Sequence, residues 1–382
     1  TWDSRIVEST QPDGFVDEAD RGPFSAWRHV HAFDARGLRD TVTWELPGGT
    51  LGRWVAGGRV QAELERMFAW RHRVTAEDLA LHARFLHQPR LRVGVTGASG
   101  LVGSALCALL TSGGHSVVPF VRRGGGGISW DPAHGVLDPE HLVGLDAIVH
   151  LAGESVAQRW TTESKERILR SRVGGTALLA GAMARCSRAP AVMVNASAVG
   201  FYGDRREPVD EFSARGEGFL ADVVTAWEAA AAGGGARVVS LRLGTVLSGR
   251  GGALAAMLPA FRAGLGGPMG AGRQPWPWIA LDDVIGMIYH ALMDSAWRGP
   301  VNAVAPHQVT QAELASVLGA ALGRPACTPA PASVLKLAMG EMAQRLLLEG
   351  APVVPRRAAE LGYVWRRPAL AGALAVELGR ER

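Results

Sequence analysis

The chain has 382 residues, 47% hydrophobic and 20% charged, a balance that predicts sizeable cores in two or three domains. Its formal net charge of +4 is small for this length, and no basic block or aromatic-interleaved patch stands out, so nucleic acid is not an expected partner. No run approaches the ~18 apolar residues of a membrane span, the residues from Thr1 onward do not read as a secretion leader, and the three scattered cysteines, Cys107, Cys186 and Cys327, fit an expected reducing, cytoplasmic setting.

Residues 1–88 carry two stretches rich in aromatic and β-branched residues, 26–33 and 41–46, which predict strands. Pro47-Gly48-Gly49 predicts the turn after the second. A helix is expected over 62–68, resuming after Thr75 to residue 85, with Thr75-Ala76-Glu77-Asp78 supplying a cap and early acids. Together these describe a small α+β domain, closed by a linker at Gln88-Pro89.

From residue 91 the pattern changes to alternating strands (91–96, 116–121, 147–152, 191–196, 238–243) and helices (101–112, 162–186, 217–232). That alternation predicts an α/β fold with a Rossmann-type parallel sheet over 91–248. Beyond Ser248 the chain is rich in glycine and proline, with helical stretches at 284–293, 311–322 and 334–348. Residues 249–382 are expected to form a small C-terminal α/β substrate lobe with return segments to the sheet. Trp278-Ile279 ahead of Asp282-Asp283 predicts a helix start with an acid near its cap.

Thr96-Gly97-Ala98-Ser99-Gly100-Leu101-Val102-Gly103 places a G-x-x-G-x-x-G pattern between a predicted strand and a predicted helix. Gly97 permits the tight turn, Gly100 lets backbone N–H groups approach a pyrophosphate, and Gly103 allows close helix–strand packing. The helix N-terminus adds orphan donors and partial positive charge, so the loop from Gly97 through Ser99, Leu101 and Val102 reads as a dinucleotide site. Where NAD-binding domains carry an acid for the ribose 2′-hydroxyl, this chain has Arg122. A guanidinium suits a 2′-phosphate bidentately, which favours NADP(H) over NAD(H).

With these motifs in hand, the chain resembles atypical, extended short-chain dehydrogenase/reductase proteins often labelled sugar-nucleotide epimerases, over residues 91–378. The resemblance is carried by His150-Leu151-Ala152-Gly153-Glu154, Arg159-Trp160-Thr161, Ser171-Arg172-Val173, Ala196-Ser197-Ala198-Val199-Gly200-Phe201-Tyr202-Gly203, Trp227-Glu228, Arg242-Leu243-Gly244 and Gly299-Pro300-Val301-Asn302. It implies cofactor contacts from Arg122, from Leu151, Ala152, Gly153 and Glu154 at a strand end, and from Arg172 and Arg242. For Arg172 and Arg242 a structural ion pair is an equally good reading of the residues alone. Residues 1–88 resemble the C-terminal half of a helix-grip (START/Bet v1-like, SRPBCC) domain, through Gly22-Pro23-Phe24, Trp27-Arg28-His29-Val30-His31 and Met67-Phe68-Ala69-Trp70-Arg71-His72. His29 and His31 share a strand face, but no third ligand is placed nearby in sequence, so no metal is expected.

The family's proton relay needs a Tyr with a Lys four residues later. The tyrosines are Tyr202, Tyr289 and Tyr363, followed at that spacing by Arg206, Met293 and Arg367. The usual Tyr and Lys positions fall near Leu220 and Val224, while Ser197 matches the usual Ser. Three readings stay open. A reductase or epimerase acts on a sugar nucleotide or small carbonyl with substitute groups: Ser197 with Tyr202, helped by Arg206, or a carboxyl such as Asp210, Glu211 or Asp222. Alternatively the chain is a non-catalytic NADP(H) sensor or scaffold coupled to a hydrophobic-ligand-binding N-terminal domain. In the third, that N-terminal part is the functional binder and the Rossmann part regulates it. The glycine-rich stretch 264–274 beside Trp276-Pro277-Trp278 suits a flat or sugar-like group, with Arg273 available to an anion. Neither substrate nor oligomeric state is legible.

Overall fold

The computed structural model describes residues 2–35, 37–122 and 125–380. The chain forms two compact units, one up to Arg73 and one from Val74 onward.

In the first unit, β1 (Asp3–Thr10), β2 (Gly14–Arg21), β3 (Ala26–Asp34) and β4 (Gly37–Glu45) form an antiparallel sheet in that order. The helix α1 (Gly49–Ala83) follows directly. Strand β3 matches the aromatic stretch 26–33, and β4 overlaps the stretch 41–46 but starts earlier, at Gly37. Strand β1 escapes such reading because nearly all its residues are exposed, so it lacks the apolar alternation that marks a half-buried strand. The expected interruption before Thr75 does not occur. Residues 69–74 contain no glycine or proline, and Thr75 is an interior helical residue rather than a cap. Trp27, His29 and His31 lie on the buried face of β3, alternating with Arg28 and Val30.

The second unit is built on a seven-stranded parallel sheet. Its strands are β5 (Arg92–Thr96), β6 (Ser116–Val121), β7 (Ile128–Ser129), β8 (Ala147–His150), β9 (Val192–Ala198), β10 (Arg237–Leu243) and β13 (Gly299–Ala303). The order is β13-β10-β9-β8-β5-β6-β7. The chain therefore starts in the middle, runs outward through β6 and β7, then returns to the other side of β5. That reversal opens a crevice at the carboxyl ends of β5 and β8, where open α/β sheets take their ligands. Val93, Val95, Ala147, Val149, Val239 and Leu241 are buried in the sheet, as expected of strands covered on both faces. The helices α2 (Leu101–Ser112), α3 (Thr162–Arg185) and α4 (Phe219–Ala231) are the connections read from sequence, shifted by no more than two residues. Leu81 and Phe85, near the end of the 1–88 region, are buried in this unit's core with Val93 and Leu109.

A smaller lobe follows. β11 (Thr245–Leu247) pairs in parallel with β12 (Trp278–Ala280), and α5 (Gly252–Arg262) and α7 (Gln311–Leu322) pack a core of Leu254, Leu258, Phe261, Trp278, Leu314 and Leu318. Between them α6 (Leu281–Met293) returns to the core of the large sheet. The single helix expected over 334–348 is divided: α8 (Ala332–Met339) ends at Gly340, whose φ of +66° stops the helix, and short helical turns resume at Glu341. The acid expected to cap α6 has another task. Asp283 is fully buried and accepts hydrogen bonds from Arg366 N, Arg367 N and Tyr363 Oη at 2.7, 3.0 and 3.0 Å. It pins the C-terminal segment, and burial pushes its pKa up to about 6. Among the described residues no helix is long and apolar enough to cross a membrane.

Candidate functional site

Strand β5 ends at Thr96, and the chain must reverse within four residues to start α2. Gly97 makes the turn at φ +67°, where a Cβ would lie about 3.1 Å from Ala152 N and Leu151 C. Gly103 is closer still: a Cβ there would stand 2.1 Å from Gly97 O, a distance no side chain survives. Gly100 N donates to Gly97 O at 2.9 Å and Gly100 is the N-cap of α2, with no side-chain cap and no acid in the first turn. The first N–H groups of α2 are thereby left for an external acceptor. Ser99 and Gly100 are exposed beside them, while Leu101 and Val102 are half-buried against the core.

The Thr96 hydroxyl ties the crevice together. It lies 2.7 Å from His150 Nδ1 and accepts from Leu151 N and Ala152 N at 3.0 and 3.1 Å. Burial lowers the His150 pKa to about 3, so the ring is neutral, and because Thr96 Oγ1 already accepts from two N–H groups its own proton is left for His150 Nδ1. Gly153 continues the strand end as an exposed residue, and Glu154 N donates to Ser171 Oγ at 3.0 Å. Arg172 donates to Glu154 O at 2.8 Å and lies over the Trp227 ring at 5.1 Å. Its pKa is lowered by burial. Arg122 follows β6 directly and is exposed, at the carboxyl edge of the strand next to β5.

A cavity of about 810 Å³ opens beside this edge. Leu151, Ser197 and Leu243 line it from the ends of β8, β9 and β10, and Met257, Trp276 and Met342 from the lobe. Leu220 and Val224, at the positions where the family's Tyr and Lys are expected, line the same wall. The Tyr–Lys relay is therefore replaced by apolar surface.

Behind Ser197 runs a buried polar chain that sequence reading did not foresee. Ser197 Oγ donates to Glu228 Oε1 at 2.6 Å. Arg242 grips Glu228 with Nε and Nη2, each at 2.8 Å, and stacks over Phe201 at 3.5 Å. Its Nη1 donates to Tyr202 Oη at 2.9 Å, and that hydroxyl donates to Asn302 Oδ1 at 2.7 Å. Arg242, expected at the cofactor, is thus the partner of Glu228. Tyr202 is fully buried, lies outside the cavity lining, and has its pKa raised by burial. The cation beside it is Arg242 rather than Arg206. Neither change makes a sealed phenol available to a substrate.

The alternative acids are also engaged. Glu211 accepts from Asn302 N and Arg357 N at 2.9 and 3.2 Å, Asp210 pairs with Arg356 at 3.2 Å, and Asp222 pairs with Arg215. Glu228 and Asn302 carry the network. Both stand in motifs that marked the family resemblance, but only their spacing to Ser197 and Tyr202 in space, 31 and 100 residues apart in sequence, gives them a role.

A family model described as the NAD dependent epimerase/dehydratase family matches residues 93–302. The chain belongs to that family. A second model, a domain of unknown function, DUF1731, matches residues 330–376. Relatives include an epimerase family protein of Mycobacterium bovis, 39% identical over 74% of this chain and 96% of its own length. The human epimerase family protein SDR39U1 is 40% identical over 74% of this chain and 98% of its own. A crystal structure of the human protein with NADPH aligns with a TM-score of 0.70 at 39% identity, over 76% of this chain and 99% of that one. A structure described as a nucleoside-diphosphate sugar epimerase from Corynebacterium glutamicum aligns over 100% of this chain and 78% of its own, with a TM-score of 0.81 at 34% identity.

Proposed function

We propose that this family member binds NADP(H) and uses it in an oxidoreduction or epimerisation of an alcohol or carbonyl with a largely apolar body. The fit of the loop supports the cofactor: Gly97 and Gly103 leave a cradle that any Cβ would fill, the first N–H groups of α2 face it uncapped, and Arg122 stands at the neighbouring strand end. The human relative crystallised with NADPH supports NADP(H) over NAD(H). Residues Gly97 to Gly103 would hold the pyrophosphate, Arg122 the 2′-phosphate, and Leu151 to Glu154 with Arg172 the strand-end side of the cofactor. The bound nicotinamide supplies or accepts a hydride.

The observation that carries the reaction is the position of Ser197. It is the hydroxyl at the junction of the strand-end edge and the apolar cavity, already hydrogen-bonded to a carboxylate. When a substrate alcohol is oxidised, Ser197 Oγ takes its proton while passing its own to Glu228 Oε1; reduction reverses both transfers. Arg242 holds Glu228 at both oxygens and so fixes the acceptor. Met257, Met269, Trp276 and Met342 favour an apolar substrate body over a bare sugar, since an unpaired polar group against them is costly.

For the N-terminal unit, the four-stranded antiparallel sheet and the helix after it are what half of a helix-grip domain contributes, and we read it so. The three cysteines are free, which supports a reducing, cytoplasmic setting.

The test is direct. Purified protein is titrated with NADPH and NADH, then assayed for hydride transfer and for hydrogen exchange over a panel of aliphatic and aromatic alcohols, ketones and sugar nucleotides. NADPH binding with turnover of apolar carbonyls, reduced at least tenfold by Ser197→Ala, is the expected outcome. Tight NADPH binding without transfer to any member of the panel would overturn the catalytic reading.

A further inference from the structure

The inward face of the N-terminal sheet is aromatic, with Trp27 and Trp44 paired across β3 and β4 and Phe15 stacked on His31 at 3.9 Å between centroids. Within it lies a compact polar island. Cross-strand register sets Asp17 opposite His29 on β2 and β3, and Asp40 opposite His31 on β3 and β4. His29 and His31 are each about 5% exposed, and the Asp40 side chain 2%. Burying two carboxylates and two imidazoles among aromatic rings is costly unless each polar atom is matched.

The matching is specific. Asp17 Oδ2 lies 3.4 Å from His29 Nδ1 and 2.9 Å from His31 Nε2. One donor atom from each of these three residues falls within 4.8 Å of the others. On the far side of both rings, Asp40 Oδ1 lies 3.0 Å from His29 Nε2 and 3.1 Å from His31 Nδ1. Asp40 Oδ2 is 2.6 Å from His72 Nε2. A neutral imidazole has a single N–H. The hydrogen bonds run from His29 Nε2 to Asp40 Oδ1 and from His31 Nε2 to Asp17 Oδ2, so the His29 ring, with its N–H toward Asp40, turns the lone pair of Nδ1 toward Asp17.

We propose that Asp17, His29 and His31 form a divalent transition-metal site, with Asp40 as the outer carboxylate that orients both imidazoles. A cation bound by Asp17, His29 Nδ1 and His31 Nε2 takes the place of the proton between His31 Nε2 and Asp17, and the His31 ring then carries its N–H on Nδ1, 3.1 Å from Asp40 Oδ1. Two imidazoles and one carboxylate suit zinc or ferrous iron and leave at least one position open to water or an added ligand. Tetrahedral zinc, with bonds of about 2.0–2.1 Å, needs donors about 3.3 Å apart, close to the spacing around Asp17 Oδ2. Ligating histidines commonly donate the remaining N–H to a carboxylate, and here one carboxylate serves both. The opposite side of the rings is unsuited to the ion, because Arg71 Nη2 stands 4.0 Å from Asp40 Oδ1 and 3.5 Å from His31 Nδ1. Sequence proximity does not reveal this set, because Asp17 and Asp40 reach the histidines through strand pairing.

The full chain, stripped with a chelator, is titrated with Zn(II) against a chromogenic competitor and with Co(II) by visible absorption. One zinc per chain is expected, with affinity lowered more than tenfold in Asp17→Asn and His31→Gln, and about tenfold or more in Asp40→Asn. His134→Ala, an exposed histidine elsewhere, is expected to leave it unchanged. Substoichiometric binding, or binding that survives Asp17→Asn and His31→Gln, would overturn the site. Should those variants not fold, the wild-type chain still decides: Co(II) must give intense low-coordinate bands, and Cu(II) the pulsed-EPR signature of two imidazoles. Weak, octahedral Co(II) bands would overturn it equally.

Discussion

Glu228 is a carboxylate whose two oxygens are both spoken for, and Arg242 is what makes it tolerable under the sheet edge. Removing the guanidinium as Arg242→Met leaves that carboxylate half-buried and uncompensated. A loss of about 3 kcal/mol in urea unfolding is expected, at the lower end for a broken buried pair because Glu228 keeps 17% side-chain exposure. Tyr202→Phe removes one hydroxyl bridge, so it is expected to cost about 1 kcal/mol and to change NADPH affinity less than twofold, measured by fluorescence titration. At the opposite edge, Arg122→Ala is expected to raise the Kd for NADPH about tenfold, the ~1.4 kcal/mol of one charge-assisted contact. The NADH constant should stay within twofold. Equal weakening for both nucleotides would show that Arg122 does not read the 2′-phosphate.

At the scale of elements, α3 carries Arg172 to the cavity and starts from a reciprocal cap. Thr161 Oγ1 accepts from Ser164 N at 3.2 Å, and Ser164 Oγ accepts from Thr161 N at 2.7 Å. Thr161→Ala is expected to cost about 1 kcal/mol, read from denaturant midpoints at constant slope. The strands and helices from residue 91 to 243 were legible because buried parallel strands are apolar runs punctuated by glycine, and the loop after β5 announces its own geometry. β1 was not, because an exposed strand has no periodic signature. Helix α1 was read as interrupted because a Thr with two acids after it resembles a cap wherever it occurs. Ser197 was legible at the site through its motif. Its link to Glu228, and the inward burial of Tyr202, depend on which faces of β9, α4 and β10 meet. Nothing in one sequence carries that information.

For the whole molecule, Asp283 couples the closing segment of the chain to proton concentration. Burial raises its pKa to about 6, against about 3.9 in the unfolded chain. Between these values the folded protein holds a proton that the unfolded one has released. The contribution of Asp283 is therefore fully present below about pH 4 and is lost as pH rises through about 6, by up to about 3 kcal/mol. Asp283→Asn removes that dependence. Wild type minus variant stability, followed by urea unfolding from pH 4 to 7, is expected to shrink over this window and then level. A difference that is constant or grows with pH would contradict the assignment.

The middle-outward strand order also governs how the molecule comes into being. The crevice between β5 and β8 joins residues 54 apart through Thr96 and His150, and β10 and β13 reach the same edge later in the chain. Such distant parallel pairings are slow to form, since the intervening loops must close before any contact rewards them. A nucleotide that recognises only the finished crevice has nothing to hold while the chain is searching. NADPH is accordingly expected to slow unfolding in stopped-flow experiments and to leave the refolding rate unchanged, so that the ligand acts as a latch on a completed sheet rather than as a template for making one.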